Sequence, residues 1–151
     1  MIEQLMNIAE INVSYKPAVI FDNDILTSFD AYRLFMKFFP ESTMHLQERF
    51  MVMYLNKANK VLGIYPMSVG GITGTVADIR IILSVALKAV ATTILLAHNH
   101  PSGNMKPSQK DLELTHRIKE AASMLDIKVV DHLIISPADD VYFSFADEGF
   151  L

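Results

Sequence analysis

His98 and His100 stand one residue apart at the end of an apolar run, and Pro101 and Gly103 follow at once. Residues i and i+2 of an extended segment project from the same face, so these two imidazoles can converge on one point at a strand end. Pro101 and Gly103 then turn the chain, and Pro107 and Ser108 open a helix that carries Asp111 in its first turn. A carboxylate in that position can reach back over the strand end. Two imidazole nitrogens and one carboxylate oxygen fill three positions of a tetrahedral Zn²⁺ and leave the fourth open, as catalytic sites require and closed structural sites do not.

Each part also has a plainer use. Histidines at strand ends cap or pack, and Ser108 with Asp111 has the form of a helix capping box. The cap and the metal site are compatible, because a serine near the helix start can also aim its hydroxyl at a metal-bound substrate. The whole arrangement is far more specific than its parts: His98, His100, seven residues, Ser108, two residues, Asp111.

This arrangement resembles the metal motif of the JAB1/MPN (JAMM) metalloprotease family, with Glu48 in QERFMVMYLN matching that family's upstream glutamate. Within the family the chain is most similar to the bacterial RadC-like branch, through HNHPSGNMKPSQKDLELT, DHLIIS, YFSFADEGFL and GGITGTVADIR. The resemblance covers roughly Glu48 to Leu151. It implies a mixed α/β fold: one JAB/MPN-like (cytidine deaminase-like) domain over 1–151, with a central mixed sheet flanked by helices. Residues 1–45 would supply an N-terminal strand and helix, and 46–151 the metal-site core. It further implies that His98, His100 and Asp111 bind one Zn²⁺ per chain, that Glu48 is the general base, and that Ser108 stabilises an oxyanion. The reaction implied is hydrolysis of an amide or isopeptide bond in a peptide or protein substrate. JAMM deubiquitinases usually carry Ser or Thr between the histidines; Asn99 stands there instead, as in the RadC-like branch, and puts the substrate in question.

The elements that must position these residues follow from periodicity. Ile11, Val13 and Tyr15 alternate with polar neighbours in EINVSYK, which predicts a half-buried strand over 10–16. Phe29, Tyr32, Phe35, Met36 and Phe39 recur at helical spacing after Thr27 and Ser28, either of which can be the N-cap, and Pro40 closes that helix. ERFMVMYLNKANKVLGIYPMSVGG predicts two strands joined through 57–59. Thr75 with Asp78 marks a helix start, and the apolar stretch Ile81 to Ala97 predicts a buried helix and then the buried strand that ends in HNH. Leu112, Leu114, Ile118, Ala121, Ala122 and Leu125 lie mainly on one side of the next helix, and IKVVDHLIIS and VYFSFAD supply two strands across a turn at 137–140. About six strands and three helices result.

Composition limits the remaining readings. At 151 residues the chain suits one domain, and the absence of cysteine leaves His, Asp and Glu as metal ligands and fits a cytoplasmic location. The N-terminus carries Glu3 and no long apolar core, and Lys88 interrupts the longest apolar run, so neither a secretory signal nor a membrane span is expected. A net charge of −4 argues against a broad basic surface for nucleic acid, leaving room only for a local patch. No basic, glycine-punctuated helix-hairpin-helix region precedes the metal motif, so a repair role rests on the family name alone. Two other classes remain beside the hydrolase: a catalytically silent metal-binding module, and a protein associated with DNA repair or mobile elements. His132 is expected near the site or in the core, with Asp131 on the opposite strand face. His45 and His116 are expected at the surface, Met51 and Met53 in the core, and GGITGT as a loop beside the site.

Overall fold

The computed structural model describes residues 9–16, 24–70 and 76–151. Five strands form one sheet: β1 (Arg49–Leu55), β2 (Val61–Val69), β3 (Thr93–Asn99), β4 (Lys128–Ile135) and β5 (Tyr142–Ser144), in spatial order β2-β1-β3-β4-β5. The pairings are antiparallel except β3 with β4, which run parallel. A parallel pair needs a long crossover. Here α3 (Gln109–Ser123) provides it, after α1 (Ser28–Phe35) and α2 (Ile79–Lys88). The fold is therefore mixed α/β, with β3 at its centre.

Strand alternation divides the core between the two faces of the sheet. Met51, Met53, Leu55, Leu95 and Ala97 pack with Ala31, Tyr32 and Phe35 of α1. Phe50, Val52, Tyr54, Ile94 and Leu96 pack on the other face with Ile82 and Ala86 of α2 and Ile118 and Ala122 of α3. Every residue of β3 is buried, as expected of a strand covered on both faces.

The helix ends follow their local chemistry. Thr27 caps α1 in a reciprocal capping box with Asp30, and Ser108 caps α3 in another with Asp111. α1 ends at Phe35, earlier than the apolar spacing predicts; a turn carries the chain on to Phe39, which is still buried, before Pro40. α2 is capped by Asp78, whose side chain accepts from the Arg80 amide, so the helix begins at Ile79. Thr75 lies outside the described residues, as does most of GGITGT.

One predicted strand is absent. Residues 10–16 form no strand, and Ile11 and Val13 are largely exposed. Their alternation needed a sheet edge to pair with. The described contact of this stretch is instead a single bond from the Tyr15 hydroxyl to the Leu62 carbonyl. Among the described residues five strands result, where about six were expected. No helix among the described residues is long and apolar enough to cross a membrane.

Candidate metal centre

His98 is the last residue but one of the wholly buried β3, and His100 lies just past the strand's end. The His100 amide still donates to the Ile135 carbonyl, which holds the chain extended for one more residue before the turn. Gly103 closes that turn at φ +78° with its amide on the His100 carbonyl, a conformation that glycine adopts without strain. The chain then enters α3, whose first turn brings Asp111 back over the strand end.

The three side chains meet. His98 Nε2 lies 2.9 Å from His100 Nε2 and 3.3 Å from Asp111 Oδ1, and His100 Nε2 lies 3.5 Å from Asp111 Oδ2. Metal–ligand bonds of about 2.0–2.1 Å in a tetrahedral site imply ligand–ligand edges of about 3.3 Å. The two carboxylate contacts run to different oxygens, but one donor atom from each of the three side chains lies within 4.8 Å of the others, so the set could hold a small divalent cation. His98 is 1 % exposed, whereas His100 and Asp111 are 15 % and 14 % exposed, so the open side faces solvent past the latter two. His100 Nδ1 is 2.6 Å from the Asn104 carbonyl, an acceptor, so Nδ1 carries a proton and Nε2 is left to face the cluster.

The electrostatics favour a cation. Burial works against ionising Asp111, but its contacts with His100 and His98 outweigh that and hold the carboxyl well below the usual carboxylate range. Burial also opposes a proton on His100, yet Asp111 and the Asn104 carbonyl raise its pKa overall. The same negative charge that favours a proton there also attracts a cation. Asp111 nevertheless keeps its capping role: Oδ2 accepts from the Ser108 amide at 2.7 Å, while the Asp111 amide donates to Ser108 Oγ at 3.1 Å. The cap orients the carboxylate.

Glu48 precedes β1, and the register explains its position. Phe50 pairs with His98, so continuing the antiparallel ladder by two residues sets Glu48 against His100 and on the same face. The charges acting on its carboxyl are those of His98, His100 and Asp111. Half-burial raises the pKa of Glu48, partly offset by the two histidines. The structure thus gathers His98, His100, Asp111, Ser108 and Glu48 at one end of the sheet.

Asn99 faces the other way, toward α1, and is fully buried. Its Nδ2 donates to the carbonyls of Met44 and Gln47, and its Oδ1 accepts from the Arg49 amide at 2.7 Å. These bonds bracket Glu48 on both sides. Buried beneath the sheet, Asn99 has no route to a substrate; it secures the backbone that carries Glu48. Its role in this structure is to hold the backbone, and nothing but its turn to the opposite face could have hinted at this.

Asp131 and His132 separate as alternation requires. Asp131, buried on the α1 side, accepts from the His132 amide, the Ser144 hydroxyl and the Ala146 amide, fastening the segment after β5. Burial nonetheless raises its pKa. His132 sits on the other face with Nε2 2.7 Å from His98 Nδ1. His116 is exposed and pairs with Glu120. Thr115, also buried beside His132, is a participant that sequence reading missed, although its place one helical turn after Asp111 put it on the same face.

A five-stranded mixed sheet flanked by helices, with a His-His-Asp cluster that could hold a metal ion at the end of its central strand, defines a JAB/MPN-like domain. The family model for the RadC-like JAB domain matches residues 25–150, and the chain belongs to that family. It is 42% identical over 125 residues to a UPF0758 protein of Flavobacterium johnsoniae, covering 83% of this chain and 52% of that one. It is 44% identical over 121 residues to a UPF0758 protein of Porphyromonas gingivalis, covering 80% and 52% respectively. The chain thus spans about half the length of the curated relatives it matches.

Proposed function

We propose that this domain is a zinc-dependent hydrolase that cleaves an amide or isopeptide bond in a peptide or protein substrate. The observation that carries this reading is the convergence of His98, His100 and Asp111, with ligand atoms within 4.8 Å of one another, and the carboxyl of Glu48 inside their field. These three side chains would hold one Zn²⁺ through His98 Nε2, His100 Nε2 and a carboxylate oxygen of Asp111. A zinc ion bound there supplies Lewis acidity, which makes water a competent nucleophile near neutral pH.

The remaining work belongs to the protein. Glu48 takes a proton from the attacking water as its oxygen bonds to the carbonyl carbon, then delivers that proton to the nitrogen as the C–N bond breaks. A carboxyl with a raised pKa suits both transfers. Ser108 Oγ accepts the Asp111 amide proton and so keeps its own O–H available to donate to the developing oxyanion. Asn99 holds Glu48 in register with His100 through the backbone.

Metal analysis of protein purified without added zinc, joined to a profile of cleaved peptides, tests the proposal. Wild type should carry one metal per chain, and Glu48→Gln should keep it while turnover falls about 10²–10⁴-fold. Absence of stoichiometric metal, or metal content unchanged in His98→Ala and His100→Ala, would overturn the metal centre. Metal retained with equal turnover in wild type and Glu48→Gln would remove Glu48 as base. Metal retained with no turnover in either, and cellular function intact in Glu48→Gln, would favour a metal-binding module without catalysis.

A further inference from the structure

His98 can serve a cation through Nε2 only if its proton resides on Nδ1. In many metal sites a carboxylate or backbone carbonyl enforces this choice. In this domain the partner of His98 Nδ1 is another imidazole, His132 Nε2, at 2.7 Å, and an imidazole can donate or accept at either nitrogen. Something further along must decide the direction.

Thr115 supplies the decision. Its hydroxyl donates its single proton to the Asp111 carbonyl at 2.6 Å, one helical turn back. Thr115 Oγ1 is also 2.6 Å from His132 Nδ1, and with its proton committed it can only accept there. His132 therefore carries its proton on Nδ1. The ring is fully buried and its two nitrogens meet an imidazole and a hydroxyl, with no carboxylate to compensate a charge, so it is held neutral with a single N–H. His132 Nε2 consequently bears a lone pair and accepts from His98 Nδ1–H. That sets His98 Nε2 as the bare nitrogen, facing His100 and Asp111.

The chain of donors is closed to water, since Thr115, His132 and His98 are all 2 % exposed or less. The His132 ring is also held against rotation, stacked on Phe145 at a centroid distance of 4.7 Å and edge-on to Phe50 at 5.5 Å. The relay begins at one candidate ligand and ends on the backbone of another.

We propose that Thr115 and His132 are positioning residues whose one-way hydrogen-bond relay fixes the His98 tautomer and thereby prepares the site for its metal. The inference rests on the metal-centre reading above, but the tautomer can be read without any metal. Long-range ¹H–¹⁵N NMR of the metal-free protein at mildly alkaline pH distinguishes Nδ1–H from Nε2–H in each histidine. Wild type should show both His98 and His132 as Nδ1–H; His98 found as Nε2–H would overturn the relay without recourse to any variant. Thr115→Val removes the acceptor that holds the His132 proton, so it should shift both tautomers and weaken Zn²⁺ binding about 10–100-fold in chelator competition. Thr115→Ser should restore both readouts. Unchanged tautomers and Zn²⁺ affinity in Thr115→Val would overturn the proposal. A wild type with His98 as Nδ1–H and no Zn²⁺ affinity would support the relay and overturn the metal centre, so the two failures read separately.

Discussion

Several residues at this end of the sheet serve structure and site together, and substitutions can separate the two uses. Asn99 shows it best: truncation to Ala strands the Met44 and Gln47 carbonyls and the Arg49 amide that its side chain satisfies. Leaving such buried groups without partners costs about 1–3 kcal/mol. Asn99→Ala should lower the unfolding free energy by that amount, read from urea denaturation, and should also loosen Glu48, although it touches neither His98 nor His100 through its side chain. Ser108→Ala removes the α3 cap and should cost about 0.5–2 kcal/mol in the same measurement. If Ser108 also donates to an oxyanion, turnover should fall beyond what the lost stability accounts for, whereas Ser108→Thr should retain the cap.

At the scale of elements, helix ends decide where side chains emerge, and two of them invite tests. α2 and α3 both finish with a reversed chain: the Ala91 amide bonds to the Ala86 carbonyl after α2, and the Ile127 amide to the Ala122 carbonyl after α3. The left-handed position is Asp126 after α3 but Val90 after α2, at φ 56° and 55°. A branched side chain is strained there by roughly 1–2 kcal/mol, and Val90 is 75 % exposed, so little packing repays the strain. Val90→Gly should therefore raise stability, by up to about 1 kcal/mol after the glycine's extra chain entropy, read as a higher urea midpoint. At α1, the capping box lowers the Asp30 pKa, chiefly through the bond with Thr27. A carboxyl with a lowered folded pKa stabilises above its unfolded value and loses that contribution as pH falls through the folded one. Thr27→Ala should cost about 0.5–2 kcal/mol at neutral pH, and the gap from wild type should narrow below the ordinary carboxylate pKa.

For the whole molecule, the candidate metal site ties β3 to α3 and sits beside the head of β1, so occupancy should reach global stability. At a free Zn²⁺ concentration 100-fold above Kd, binding to the native state alone adds about 2.7 kcal/mol. Thermal unfolding with saturating Zn²⁺ against excess chelator should show that difference in wild type and lose it in His98→Ala. Much of this architecture was legible in the chain itself. The His98, His100, Ser108 and Asp111 set lies within one short stretch, and the i, i+2 geometry of a strand and the cap geometry of a helix are local rules. The hairpin of β1 and β2, the helices and the last two strands followed from periodicity for the same reason. The failure at residues 10–16 has the converse cause, since alternation describes a strand only when an edge is available to pair with it.

Which faces meet across strands is not a local matter. Ile94 pairs with Val129 but Leu95 pairs with Asp131, so β4 carries one extra residue, Val130, at a bulge. Were Val130 paired in the ladder instead of bulged out of it, Asp131, and not His132, would turn toward His98. The Asn99 clamp on the segment around Glu48 depends likewise on the antiparallel register of β1 and β3, between residues fifty positions apart. The sequence by itself therefore determined the candidate ligands and the elements that present them, because short-range stereochemistry suffices for both. Only the tertiary structure decided what stands behind those ligands, the Thr115–His132 relay and the Asn99 clamp, because cross-strand register and a single bulge set which side chains share a face.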